Sequence, residues 1–301
     1  MDINGTRGQI VVETGPGGGR KTATVIGYAQ DIEKHTDKRV LAFTNTANTR
    51  EGEDKPSIVA NGGSSSYPAI RIDPIRPEQI LEILDEEDKK RFVDVLILDE
   101  GNFYNYKLIH VLKRIVEQGL RCTVVAGLDK TFRGEPWEPM NTVIDMAYPH
   151  NVHLHQPYCK VQREGKQCNN LAIYSMRVRQ DSPHKVRFYD QQGNLVTGFG
   201  FAPYFDPTYS PQRSKTELNP VDYTQACEDC FQIPRKDDVI EVQRALLEGR
   251  EPRQVPDLEN ILDFLTGDER GNHKLFEKSE DKYVPMPHTL DIESGLYIPI
   301  R

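Results

Sequence analysis

Apolar positions along the chain follow two different periods. Short unbroken runs at Gln9-Ile10-Val11-Val12, Arg39-Val40-Leu41-Ala42-Phe43, Val93-Asp94-Val95-Leu96-Ile97-Leu98 and Arg121-Cys122-Thr123-Val124-Val125 predict strands, because a strand covered on both faces has no polar side to show. Between them, Val25, Ile26, Ala29 and Ile32 recur at helical spacing, as do Leu108, Val111, Leu112 and Ile115 ahead of Gly119. Pro77 to Leu84 reads as a further helix with proline in its first turn, and Ser57–Ala60 and Ala69–Ile72 as short strands. This alternation predicts an α/β fold, a mostly parallel sheet flanked by helices, with ligands at the carboxyl ends of the strands. From about Asn151 the sequence becomes β-rich and loop-rich. After Pro234, two short helices are expected around Val239, Val242, Leu246 and around Leu258, Ile261, Leu262, Leu265, then an irregular tail. The expected units are residues 1–150, 151–234 and a C-terminal extension, 235–301.

Two strand ends carry chemistry. Gly15-Pro16-Gly17-Gly18-Gly19-Arg20-Lys21-Thr22 lies between a strand and a helix and approximates the phosphate-binding loop G-x-x-x-x-G-K-[ST]. Glycines let backbone N–H groups turn inward on a polyphosphate, and the helix N-terminus adds its own donors. Lys21 would reach the β- and γ-phosphates of a nucleotide, and Thr22 would coordinate Mg²⁺. Arg20 occupies the place of the second glycine, where a left-handed backbone costs about 1–2 kcal/mol. Taken alone, the segment also reads as a glycine-rich hairpin tip. The acidic pair Asp99-Glu100, closing a second buried strand, completes a P-loop NTPase-like reading in which two neighbouring strands bring Lys21 and Thr22 opposite Asp99 and Glu100.

Composition narrows the classes. A net charge of -8 over 301 residues argues against sequence-independent binding of nucleic acid. No apolar run reaches membrane-spanning length and the start Met1-Asp2-Ile3-Asn4 lacks signal-peptide character, so the expectation is a cytoplasmic protein with no membrane partner. Of five cysteines, Cys159, Cys168, Cys227 and Cys230 form two pairs, the second spaced C-x₂-C, which suits a structural Zn²⁺. Glu164-Gly165-Lys166 supplies a hairpin tip that would join the first pair. Unrelated thiols are the alternative, and Cys122 within an apolar strand is read as one. His153 and His155 alternate on a strand, either as metal ligands or as occupants of its face. Asp181 to Pro220 is long and rich in Pro, Gly, Tyr and Ser, a disordered loop or one that covers a ligand.

From Gly8 to Phe231 the chain resembles the type II, zinc-containing thymidine kinase family. The resemblance rests on Gly15-Pro16, on Asn48-Thr49-Arg50, on Leu98-Asp99-Glu100-Gly101-Asn102-Phe103-Tyr104 (the family's D-E-[AG]-Q-F-F), on Gly127-Leu128-Asp129 with Phe132-Arg133-Gly134-Glu135-Pro136, and on Tyr223 ahead of Cys227-Glu228-Asp229-Cys230-Phe231. It implies a nucleotide-binding domain, a small zinc-ribbon-like β domain with a lasso loop over the substrate, and a homotetramer. It also implies transfer of the γ-phosphate of ATP to the 5′-hydroxyl of thymidine, with Glu100 as catalytic base and Arg50 beside the transferring group. ATP and Mg²⁺ would be held by Gly15, Gly17, Gly18, Gly19, Arg20, Lys21, Thr22 and Asp99, and the base by Phe103, Leu128, Phe132 and Tyr223. Departures gather near the nucleotide and the substrate: Arg20, Gly17 for a bulky residue, Asn48 in D-T-R, Asn61-Gly62-Gly63 for H-[DS]-G, and Asn102 for glutamine. They leave open a kinase of another nucleoside, or a catalytically impaired nucleotide-binding protein.

Overall fold

A computed structural model describes residues 7–46, 56–60, 63, 65–206, 221–267, 274–279, 282–291 and 296–299. Its first part runs β1 (Ile10–Thr14), α1 (Lys21–His35), β2 (Val40–Asn45), β3 (Ser57–Val59), β4 (Ser66–Pro68), β5 (Ile70–Ile72), α2 (Gln79–Lys90), β6 (Val95–Leu98), α3 (Lys107–Glu117), β7 (Cys122–Ala126), α4 (Met140–Met146) and β8 (Val152–Leu154). Six strands make one sheet in the order β5-β2-β6-β7-β1-β8, each parallel to its neighbours. The expected α/β architecture is therefore present, with two corrections. The strand at Ser57 stands outside this sheet, paired antiparallel with β4. Nor are the strands ending at Thr14 and Leu98 neighbours, because β7 lies between them.

Alternation along the central strands divides the interior in two. Ile10, Val12, Leu96, Leu98 and Val125 face one layer with Ile80, Leu84, Leu108, Leu112 and Val143 from α2, α3 and α4. Val11, Val95, Ile97 and Val124 face the other, against Val25, Ile26, Ala29 and Ile32 of α1. Both faces of β1, β6 and β7 are thus covered, which is why these strands read as unbroken apolar runs.

The remainder contains β9 (Gln162–Arg163), β10 (Lys166–Gln167), β11 (Tyr174–Arg179), β12 (Phe188–Tyr189), β13 (Leu195–Val196), β14 (Gly200–Phe201), β15 (Val221–Ala226), α5 (Lys236–Leu247), α6 (Leu258–Gly267), β16 (Phe276–Ser279), β17 (Lys282–Pro285), β18 (His288–Asp291) and β19 (Leu296–Pro299). Glu164 and Gly165, at φ 49° and 81°, form the hairpin tip expected at Glu164-Gly165-Lys166, with Lys166 already in β10. The tail expected to be irregular instead forms two hairpins, β16–β17 and β18–β19. Among the described residues each of these strands pairs with its own hairpin partner, so the continuous apolar pattern of a buried sheet is missing. The two C-terminal helices close a core of Val239, Val242, Ile261, Phe264, Leu265, Leu275 and Phe276, completed by Tyr204 from far upstream.

Two residues next to the first loop go against local preference. Glu13, in the otherwise apolar end of β1, is fully buried. It pairs with His153 across the β1–β8 register and accepts hydrogen bonds from His153 Nδ1 (2.7 Å), His155 Nε2 (2.5 Å) and the Tyr28 hydroxyl (3.0 Å). Burial pushes its carboxyl upward, but the bonds from His155, His153 and Tyr28, with the charge of His153, outweigh this and hold it below the ordinary range. Burial and the Glu13 charge in turn push the Tyr28 phenol up to about 12. Arg20, the residue before α1, adopts φ 64° and ψ 16° and is exposed, with a left-handed backbone and no side-chain cap.

A carboxylate whose folded pKa is depressed stabilises the fold fully above its unfolded value, about 4.3, and loses that contribution as pH falls through the folded value. Glu13→Gln is therefore expected to cost about 1–3 kcal/mol at pH 7, a deficit that narrows below about pH 4. Urea unfolding at both pH values measures this, and equal deficits would show that the charge contributes nothing. Arg20→Gly removes the left-handed penalty and is expected to raise the unfolding free energy by about 1 kcal/mol, read from the same curves.

Candidate active site

Residues 15–20 join β1 to α1 at the carboxyl edge of the sheet, where main-chain space is tight. Gly15 adopts φ 120°, and a Cβ there would lie 2.3 Å from the carbonyl oxygen of His155, so no side chain fits. Gly17 N donates to Ser175 Oγ of β11 at 2.7 Å, and a Cβ on Gly18 would come within 3.0 Å of the Gln225 amide of β15. The loop is thus backed on one side by His155, just after β8, and on the other by the β11–β15 ribbon. Lys21 opens α1 and donates from Nζ to the carbonyls of Gly15 and Pro16, both at 2.8 Å. Its ammonium therefore lies over the loop that would cradle phosphates.

Although β7 separates the two strands, α1 spans the gap. Thr22 Oγ1 donates to Asp99 Oδ1 at 3.1 Å. Asp99 is buried, and its N–H bonds the carbonyl of Phe43 on β2. A hydroxyl beside a carboxylate is the all-oxygen donor set that Mg²⁺ takes, so these residues fit the ion. Glu100 follows with φ 54°, starting a single turn over Gly101–Phe103, and its carbonyl accepts from Asn45 Nδ2 at 3.2 Å. Beneath this turn the phenol of Tyr104, fully buried, is raised well above its ordinary value by desolvation and by the Asp99 charge. The structure thus brings Thr22 and Asp99 together at one edge of the sheet, with Lys21 and Glu100 their neighbours in the chain.

Half-buried Phe103 packs edge-on against Trp137 with ring centroids 5.5 Å apart. The N–H of half-buried Leu128 bonds Asn102 Oδ1 at 3.0 Å, which ties this second segment to the turn after Glu100. Phe132 is buried, its ring 4.7 Å from the Arg133 guanidinium and 5.5 Å from that of Arg177. Tyr223, on β15, pairs across the ribbon with Arg177 and is 37% exposed, open enough to meet a ligand. Arg50 and Asn48 lie outside the described residues. Trp137, Ser175 and Gln225 were not among the expected site residues. Trp137 could have been found as the sole tryptophan, directly after Phe132-Arg133-Gly134-Glu135-Pro136; Ser175 and Gln225 had no signal, because they reach the loop only through tertiary packing.

The sulfur atoms of Cys159, Cys168, Cys227 and Cys230 all lie within 4.8 Å of one another, and those of Cys168 and Cys227 are 3.7 Å apart. A ZnS₄ tetrahedron with 2.3 Å bonds has edges of about 3.8 Å, so the cluster fits Zn²⁺. Burial pushes the Cys159 thiol up to about 11 and raises that of Cys230 also. Such thiols are held as thiolates by a bound cation, which supplies the charge that burial otherwise penalises. Cys122 is buried within β7, away from the cluster, as expected. His153 and His155 bond Glu13 rather than joining a metal-ligand group among the described residues.

Comparison with known proteins agrees with this arrangement. A thymidine kinase from Haloquadratum walsbyi is 37% identical over 94 residues, 31% of this chain and 38% of that protein. Thymidine kinases from Mycoplasma capricolum and Mycoplasma mycoides are each 24% identical over 208 residues, 68% of this chain and 80% of theirs. Because the model of the family described as thymidine kinase matches residues 8–187, more than half of its length, the chain belongs to the thymidine kinase family.

Proposed function

We propose that the chain phosphorylates thymidine at its 5′-hydroxyl with the γ-phosphate of ATP, acting in the cytoplasm as a homo-oligomer, most simply a tetramer. The observation that carries this reading is the Thr22–Asp99 hydrogen bond, which joins the phosphate loop to the acidic strand end around a single position suited to Mg²⁺. When bound, that ion supplies charge neutralisation between the phosphates. Lys21, released from the Gly15 and Pro16 carbonyls, holds the outer phosphates, and the loop N–H groups bind the remaining oxygens. Glu100 accepts the proton of the attacking hydroxyl, its main chain fixed by Asn45. Arg50 opposes charge developing on the transferred group. Phe103, Leu128 and Trp137 surround the base, with Tyr223 approaching from the ribbon and Phe132 supporting from beneath. Catalysis here is chiefly positioning and electrostatics, which a rigid strand edge serves well.

A second reading, a nucleotide-binding protein with impaired turnover, is favoured by the left-handed Arg20 and by a lysine already satisfied within its own loop. Turnover separates the two. ADP release is expected to depend on both thymidine and Mg²⁺, and Glu100→Gln is expected to lower kcat by about 10²–10⁴-fold while the melting temperature holds. Absence of turnover across a panel of nucleosides would refute the kinase reading. Cys227→Ser is expected to reduce bound zinc, measured by elemental analysis, and to unfold the β11–β15 ribbon before the main sheet; unchanged zinc content would reject the site.

A further inference from the structure

We propose that the C-terminal extension braces the nucleoside side of the active site, with Phe264 of α6 and Arg133 as positioning residues. This rests on the reading of Phe103, Leu128 and Trp137 as the surroundings of the base.

The contact begins at Arg133, a residue only 4% exposed. It donates from Nε to the carbonyl of Tyr204 and from Nη2 to that of Asp206, each at 2.5 Å. Rings of Phe132, Tyr204 and Phe264 lie around the same guanidinium at 4.7, 5.3 and 4.9 Å. One planar cation thus joins three distant parts of the chain: its own loop, the Tyr204–Asp206 segment and helix α6. A lysine ammonium could not span both carbonyls while lying flat against the rings.

Each end of this contact is itself fastened. Tyr204 is part of the C-terminal core, meets Phe264 edge-on at 5.9 Å, and bonds Glu135 through its hydroxyl. Its N–H bonds the carbonyl of Pro234, where the extension begins. Asp206, 2% exposed, is paired with Arg177 and Arg179 of β11. On the other side, the loop carrying Arg133 is cross-linked internally: Thr131 N to Glu135 O, Gly134 N to Thr131 O, and Trp137 N to Asp129 O. Holding Arg133 and Glu135 therefore holds Trp137, which packs on Phe103. The path from α6 to the base pocket is a chain of direct contacts, whereas the phosphate loop is reached from the same network at one remove, through Asp206, the arginines of β11 and Ser175 on that strand. The extension should accordingly affect nucleoside binding far more than ATP binding.

Phe264→Leu removes the ring while keeping an apolar side chain, Phe264→Tyr restores a ring, and Arg133→Lys removes the fork while leaving every side chain of the helical core in place. In the full-length protein, Phe264→Leu and Arg133→Lys are expected to raise KM for thymidine about three- to tenfold with KM for ATP raised far less and zinc content unchanged, and Phe264→Tyr to return it toward wild type. Hydrogen exchange should quicken at the amides of residues 131–135 and 204–206 in the two weakened variants. Equal rises in both KM values, or faster exchange confined to α5 and α6, would overturn the brace. Should the wild-type protein phosphorylate no nucleoside, the functional reading fails by itself, and the exchange pattern still decides whether α6 holds this loop.

Discussion

The candidate site depends on the edge strand β8 being locked onto β1 just ahead of the phosphate loop. His155 donates its N–H to the Thr14 carbonyl at 2.8 Å, and its own carbonyl then occupies the space a Gly15 side chain would need. Glu13 secures the same junction from within, through His153 of β8 and His155 just after it. Burying a carboxylate is expensive unless charged or polar partners surround it, and here three donors do. The return is a loop whose course is set by main-chain contact rather than by its own flexible glycines. From that fixed start, α1 leaves in the direction that brings Thr22 to Asp99.

Much of the central fold was legible because burial on both faces writes itself into sequence. The runs in β1, β2, β6 and β7 are apolar for the reason that helices cover each side, and α1 and α3 show their single buried faces as helical spacing. What the pattern could not show was lateral order. Nothing in Val95–Leu98 or Ile10–Thr14 says that β7 inserts between them, since strand order follows from crossover packing among long-range contacts. Likewise Lys282–Pro285 and Leu296–Pro299 pair only locally, and their short, mixed composition reads as irregular chain.

The site was legible to the extent that its chemistry is carried by contiguous motifs. Gly15 to Thr22, Asp99-Glu100 and the two cysteine pairs each announce themselves by spacing, and in the structure Thr22 meets Asp99 and the four sulfur atoms meet one another. Groups that serve the site from other elements had no such mark. Ser175 and Gln225 look like ordinary strand residues until the ribbon is seen against the loop. Glu13 carries no mark of its own in the sequence, and His153 and His155 read either as metal ligands or as occupants of a face, because the hydrogen bonds among the three cross some 140 residues of sequence.

Arg20 is where local preference and site geometry conflict most plainly. Its left-handed backbone is the conformation that a glycine in this loop position supplies without strain, so the chain has kept the shape while changing the residue. Retaining an unfavourable shape requires that surrounding contacts over-determine it. Those contacts are present: Gly19 N bonds the Pro16 carbonyl, Thr24 N bonds that of Arg20, and Lys21 draws in the carbonyls of Gly15 and Pro16. The strained residue is therefore held by the helix behind it and the loop ahead of it, while Arg20 itself stays exposed next to Lys21 in the chain. If phosphate is bound at this loop, as proposed, that exposed cation would add attraction for it without altering the path of the main chain.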